Sequence, residues 1–336
     1  MKRSWFEIDD KILDSHQLAV SLIDLARHRG VEPDRLLRGT RVFYQDLQQS
    51  HWLSCDQLFK LIHNAEKLVS SQDLSFLLGR RLLQNPNQPI NQVLMNGHTL
   101  RDSFRVASCY QMQLLPLVSM QIRQYQSQSY ILIDTAISEA APQQFIAELV
   151  ATAINTFCKW RLGRQVPLHF YFPFARPRNI YQYEENLGHR LHFNQQLFMV
   201  ALDSHWLDQA LLDNSSIVRR QQRVLCQQRR QQLNMHCGLL QYICQYLQQQ
   251  PNASLDDCAN FMAISHATLK RKLKQHATSF QKLQDKVRKQ QAVFDLQVCG
   301  HGNEQVAHKL QFNDLPNFRR AIKRWTGMTP SELRNN

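Results

Sequence analysis

LDDCANFMAISHATLKRKL, residues 255–273, and NEQVAHKLQFNDLPNFRRAI, residues 303–322, carry one pattern twice. Leu255, Cys258, Ala259, Met262, Ile264, Leu269 and Leu273 recur as Asn303, Val306, Ala307, Leu310, Phe312, Phe318 and Ile322, and only Asn303 breaks the apolar series. Ala259 to Ala307 is an offset of 48 residues and Leu269 to Phe318 one of 49, so the second copy has one residue inserted at the turn. Two short helices meeting at a tight turn, with the second helix polar on its outer side, form the unit that lays a helix in the DNA major groove. Tandem copies predict a protein that reads two neighbouring stretches of one duplex.

The charge supports this reading. Residues 1–213 hold 21 Lys plus Arg against 20 Asp plus Glu, whereas residues 214–336 hold 19 against 7. Nearly all of the net +13 of this 336-residue chain therefore accompanies the repeated motif, as binding to a phosphate backbone requires. The length fits about two domains of ordinary size. The first residues, MKRSWFEIDDKILD, meet acids before an apolar run develops, so no secretory signal is expected. The apolar stretches around Tyr130–Ile133 and Phe145–Trp160 are too short or too broken by Glu148 and Asn155 to span a membrane. Eight cysteines, at 55, 109, 158, 226, 237, 244, 258 and 299, include no Cys-x-x-Cys pair, so the expectation is reduced, mostly buried thiols in a cytoplasmic protein, with no metal and no cofactor.

Residues 15–113 read as mainly helical. Leu18, Leu22, Leu25 and Ala26 share one face, and Leu58, Leu61, Ile62, Ala65 and Leu68 repeat the spacing. Beyond Pro116, Val118–Arg123 and Ser129–Asp134 flank a polar QYQSQ and predict a hairpin. Pro142 opens an amphipathic segment to about Leu162, and Val166–Phe172 and Arg190–Val200 are extended candidates on either side of Tyr181, Gln182 and Tyr183. This makes an α+β domain ending near residue 213. Residues 214–234, NSSIVRRQQRVLCQQRRQQLN, hold no acid and little apolar surface, and read as a basic linker, helical or not, more a solvated tether than a phosphate contact.

Residues 235–334 form the all-α part. Leu239, Leu240, Ile243 and Leu247 make a helical stripe that ends before Pro251. Ser254 with Asp257 is a capping box, Ser265 is placed to cap the first recognition helix, and Asn313 to cap the second, Leu315–Trp325. Phe280, Leu283, Val287 and Phe294 space one long helix between the two units, its other side made basic by Lys282, Lys286, Arg288 and Lys289. Thr329, Pro330, Ser331 and Glu332 start a terminal helix with a second capping box.

On these residues, and above all on RRAIKRWTGMTPSEL (319–333), residues 235–334 resemble the DNA-binding domain of the AraC/XylS family of bacterial transcription regulators. The resemblance implies two helix-turn-helix units, about 255–274 and 303–325, joined by a long helix, with both recognition helices entering successive major-groove segments on one face of bent DNA. Gln311 stands where the family usually has glycine, and Met262 replaces another frequent glycine. The first domain, on HFYFPFARP (169–177) and LHFNQQLFMVALDSHWLDQAL (191–211), resembles the arabinose-binding-like regulatory domain of one branch of the family. That label names a domain type and does not make arabinose the ligand.

The family's geometry turns Ala267, Lys270, Arg271, Asn317 and Arg320 toward bases, and Thr268, Lys274, Arg319, Lys323 and Arg324 toward the DNA backbone. Lys270 and Arg271 either read bases or hold phosphates only; the spacing leaves both open. Trp325 falls in register with Phe318 and Ile322, as a core residue does. His301 and His308, seven residues apart, lack a partner Cys or acid at metal spacing. His169, Tyr171, Tyr181 and Tyr183 line a ligand pocket or, as strand aromatics more often do, fill a core. No nucleophile elbow or phosphate-cradling glycine loop is present, so no catalytic residue is assigned. The expected partners are double-stranded promoter DNA, RNA polymerase by resemblance and an unidentified small-molecule effector, with a homodimer left open and no membrane. Activation is favoured over repression by resemblance alone. The alternatives are an enzyme carrying an accessory DNA-binding module, which would need a nucleophile in residues 1–213, and a nonspecific architectural protein.

Overall fold

The hairpin expected from residues 118–134 is the root of the principal sheet. In the computed structural model, which describes residues 3–16, 18–48, 52–211 and 213–335, the chain divides into two compact units, Met1–Leu239 and Leu240–Asn336.

The first unit begins with short strands Trp5–Phe6 (β1) and Leu13–Asp14 (β2), then helices Ala19–Arg27 (α1) and Pro33–Leu37 (α2). Strand Trp52–Leu53 (β3) pairs with β2 and leads into helices Cys55–Leu68 (α3), Leu74–Arg81 (α4), Pro89–Met95 (α5), Leu100–Cys109 (α6) and Gln111–Leu114 (α7). Strands Val118–Tyr125 (β4) and Gln128–Thr135 (β5) follow, then helix Gln143–Leu162 (α8), strand His169–Tyr171 (β6), helix Ile180–Leu187 (α9), strands Leu191–His192 (β7) and Met199–Asp203 (β8), and helix Ser204–Asp208 (α10). The sheet order is β4-β5-β8-β6-β7, antiparallel except for the parallel pair β6–β7. Side chains alternate along β5, where Ser129, Ile131, Ile133 and Thr135 are buried and their neighbours are not, the period of a sheet with one face on the core.

The extended candidate Arg190–Val200 is two strands, β7 and β8, separated in the sheet by β6. Asn194 reverses the chain between them with a φ of 58°. Tyr181 and Tyr183, expected between strands, lie on α9.

Helix α8 is buried nearly all round, as a helix at the centre of a unit must be. It packs closely along α4 because Gly79 has no side chain: a Cβ there would stand 2.5 Å from the Leu149 carbonyl oxygen.

Residues 214–234, read as a basic linker, form a helix, Ser216–Leu233 (α11), that lies against α5 and α7 of the first unit. Its arginines find acids far away in sequence: Arg219 donates to Asp102 at 2.6 Å, and Arg229 sits 3.4 Å from Asp14 and over the Trp52 ring. Cys226 is its one buried residue, and the Cys226 carbonyl accepts from the Gln113 amide at 2.7 Å. The chain then adds strand Cys237–Gly238 (β9), parallel to β1.

The second unit is helical: Leu239–Gln249 (α12), Leu255–Phe261 (α13), His266–Gln275 (α14), Phe280–Val293 (α15), Asn303–Lys309 (α16), Leu315–Thr326 (α17) and Pro330–Arg334 (α18). A π-helical turn at Phe294–Val298 ends the joining helix α15. Ala292, Leu296, Val306, Ala307, Leu310, Phe318, Ile322 and Leu333 form the core of the second helix-turn-helix, with Trp325 half-buried at its edge.

Candidate nucleic-acid interface

Each recognition helix is held by its N-terminal cap and by a two-residue apolar anchor. In the first unit, the Ser254 hydroxyl accepts from the Asp257 amide while the Asp257 carboxylate accepts from the Ser254 amide, which fixes the start of α13. The hydrogen bonds from Ser254 hold the Asp257 carboxyl below its ordinary range. The Ser265 hydroxyl accepts from Thr268 N–H at 3.2 Å and starts α14. Leu269 and Leu273 are buried, so Ala267, Lys270, Arg271 and Lys274, all exposed, share the opposite face at helical spacing. Thr268 is half-buried at the side. His266 Nδ1 lies 3.0 Å from Asp256 Oδ1, linking the start of α14 to α13.

In the second unit the cap is Asp314, not Asn313: its carboxylate accepts the Asn317 amide at 2.6 Å. The inserted residue explains the shift, since Ser265 plus the second-helix offset of 49 falls on Asp314. Phe318 and Ile322 anchor α17, leaving Asn317, Arg319, Arg320, Lys323 and Arg324 exposed. Asp314 also accepts from the Asn317 side-chain amide, and Asn317 Oδ1 in turn accepts from Arg320 at 2.6 Å. The two side chains expected at bases in this unit are thus already joined and oriented. Arg324 makes an exposed ion pair with Asp285 at 3.2 Å, the kind that contributes little and exchanges readily for a phosphate.

The two positions where the family often has glycine differ in backbone conformation. Gln311 has a φ of 58°, a conformation glycine adopts freely, but Met262 has an ordinary φ of −82° and is buried. The left-handed residue of the first turn is Ala263, with φ 54°.

The basic side of α15 is partly structural. Arg288 donates to the Pro251 carbonyl at 3.0 Å and to Asn252 at 2.9 Å, and burial pushes the Lys289 ammonium down. Asp295, on the π-helical turn, is buried and accepts Lys309 Nζ at 2.9 Å and the Gln291 amide at 2.8 Å. It also brings an acid and a thiol to His301: donor atoms of Asp295, Cys299 and His301 lie within 4.8 Å of one another. The spacing argument missed this grouping because it paired His301 with His308 and passed over Asp295 and Cys299, which lie within six residues of His301. His308 is exposed elsewhere on α16.

In the first unit, His169, Tyr171, Tyr181 and Tyr183 do not converge. His169 and Tyr171 stand on the half-exposed face of β6, where both rings stack near His192, at centroid distances of 5.7 and 4.4 Å. Tyr181 is exposed, and Tyr183 is buried edge-on against Phe76 and Phe172, its hydroxyl donating to Glu148.

Two capped helix-turn-helix units with basic outer faces, joined by one helix, define a tandem helix-turn-helix DNA-binding protein. Residues 30–211, more than half of the chain, match the arabinose-binding domain of AraC transcription regulator, N-terminal, and residues 258–336 match a helix-turn-helix domain. The chain belongs to the AraC transcription regulators and is a DNA-binding regulator of transcription. It is 25% identical over 323 residues to the ornithine utilization regulator of Pseudomonas aeruginosa, covering 94% of each chain. It is 29% identical over 100 residues to the HTH-type transcriptional regulator VqsM of the same organism, 29% of this chain and 31% of that one. Among solved structures, the transcriptional regulator CdpR from Pseudomonas aeruginosa aligns over 95% of this chain and 98% of that one, with 18% identity and a TM-score of 0.44.

Proposed function

We propose that this regulator reads an asymmetric promoter site through α14 and α17 and acts, as a cytoplasmic activator, under control of a small molecule sensed by its first unit. The observation that carries the DNA reading is the pair of exposed faces, Ala267, Lys270 and Arg271 on one helix and Asn317 and Arg320 on the other, each opposite a buried two-residue anchor. Lys274, Arg319, Lys323 and Arg324 flank these faces, and Thr268 half-emerges beside the first; these five residues supply backbone contacts. Effector binding would shift the population of DNA-competent arrangements.

A catalytic role is not proposed. Cys55 and Cys158 are buried and their thiols pushed up by burial, Cys158 to about 12, the opposite of an activated nucleophile. Among the described residues, no helix is long and apolar enough to cross a membrane. A homodimer finds support in α11, where Ile217, Val224 and Leu225, at helical spacing, are 71%, 50% and 45% exposed, an apolar face that a second copy would cover. RNA polymerase remains a partner proposed from the family. The relative named for ornithine utilization makes basic amino acids the first effector class to screen.

Footprinting on promoter fragments tests the reading. Discrete protected sites spanning two adjacent major-groove segments support it; uniform protection without sites would point to an architectural role instead.

A further inference from the structure

The end of α3, the start of α4, the first turns of α8 and the loop at 177–179 line an open cavity of about 360 Å³, within the range of small-molecule sites. Glu66, Ser75, Gln144, Glu148, Arg178 and Asn179 are among its polar lining residues. Glu148 is only 6% exposed. The Ser75 hydroxyl donates to one of its oxygens, and the Tyr183 hydroxyl and the Gln144 amide, the latter at 3.0 Å, donate to the other.

These three donors orient the carboxylate without bringing it a positive charge. Among the described residues, neither Glu148 nor Glu66 has an ion-pair partner. A buried charge without a counter-charge is costly. Burial pushes the Glu148 carboxyl up; it also raises Glu66, and the nearby Glu148 adds to that. For packing alone, a glutamine could accept the Tyr183 and Gln144 bonds on its oxygen and donate to the Ser75 oxygen instead of accepting from it, with no buried charge. A carboxylate offers about four acceptor positions, and Glu148 uses three. One remains, and Glu148 lines the cavity together with a second carboxylate, Glu66.

We infer that this cavity takes a small ligand bearing a protonated amine, whose ammonium is held by Glu148 together with Glu66. The ammonium has three donors to divide between the two carboxylates. Exposed Arg178 on the cavity wall is placed to hold a carboxylate when the ligand is an amino acid. The inference rests on the reading of the first unit as effector-sensing and names the chemistry of that effector.

Isothermal titration calorimetry on the full chain tests it with L-lysine, 1,4-diaminobutane and the uncharged 1,4-butanediol. The expected result is binding of at least one amine and none of the diol. Glu148→Gln should weaken binding about thirtyfold or more, the loss expected when a buried charge pair loses one member. Glu66→Gln, a change at an exposed position that does not threaten folding, should weaken it about threefold. Arg178→Ala separates the two sources: loss confined to lysine assigns an amino acid, and unchanged binding of both amines assigns the amine alone. Failure of both amines to bind at millimolar concentration, or equal binding to wild type and to Glu66→Gln and Glu148→Gln, overturns the proposal. If an amine binds through Glu148 yet leaves DNA affinity unchanged, the cavity's chemistry stands and the effector reading falls. If a compound lacking an amine changes DNA affinity with no dependence on Glu148 or Glu66, the effector reading stands and this inference falls.

Discussion

Ala263 and Gln311, 48 residues apart, adopt the same left-handed backbone conformation at the same point of the two helix-turn-helix units, with φ values of 54° and 58°. For an L-residue with a side chain this conformation costs roughly 1–2 kcal/mol, part of which glycine regains at the expense of its own chain entropy. Ala263→Gly is therefore expected to stabilise the second unit by about 1 kcal/mol. Gln311→Gly should gain less, because Gln311 Oε1 accepts from Asn252 at 2.6 Å and that bond is lost. Urea unfolding of the full chain, followed by hydrogen exchange in residues 240–335, reads both; a destabilised Ala263→Gly would contradict the account of the turn.

The second cap is equally open to test. Asp314→Ala should cost about 1 kcal/mol through loss of the N-cap, whereas Asn313→Ala should fall within about 0.5 kcal/mol of wild type. The same urea measurement decides between them. Reversed magnitudes would restore Asn313 as the capping residue. Asp314→Ala also removes the acceptor that orients the Asn317 amide, so its DNA specificity should relax along with its stability.

The helix-turn-helix units were legible because their information is local. Anchors at helical spacing and caps three residues from their partners can be read along the chain. The Asn313-for-Asp314 exchange arose from two adjacent residues that both cap well, and only the inserted residue separates them. The docking of α11 was not legible: Arg219 and Arg229 look like solvated charges until folding delivers Asp102 and Asp14 from more than a hundred residues away. Glu148 was visible only as an interruption of an apolar run. Its cavity draws on four separate segments, and no spacing along one segment announces it. His169 and Tyr171 were singled out as pocket or core aromatics together with Tyr181 and Tyr183, but their neighbour is His192, supplied by a strand that the sequence merged with β8.

That histidine pair makes the first unit sensitive to acid. Burial, then His192 and Arg190, lower the pKa of His169, and burial lowers that of His192. The unfolded chain therefore takes up protons first, near the ordinary value of about 6.5. The stabilising contribution is present above that pH and is lost as pH falls through the lowered folded values. The melting temperature should drop between pH 7.5 and 5, and His192→Phe, which keeps the stack on Tyr171, should make the drop shallower. Parallel pH profiles for wild type and variant would dismiss the pair as its source.

Lys323 is exposed on α17 and assigned to a phosphate. Lys323→Ala should weaken all DNA sequences alike and reduce the slope of log affinity against log salt by about one unit. Affinity measured from low to moderate salt on specific and random duplexes checks this, and a loss confined to the specific site would place Lys323 at a base.

The central claim is that Arg271 and Arg320 read bases from opposite ends of one asymmetric site. The most direct test compares the affinities of wild type, Arg271→Ala and Arg320→Ala for the footprinted site and for random duplex at one salt concentration. Each variant should lose roughly 1–3 kcal/mol on the specific site, with a much smaller loss on random DNA, so that preference relaxes at the base pairs each arginine faces. Equal losses on specific and random DNA for both variants would reduce the two arginines to phosphate contacts and contradict the account.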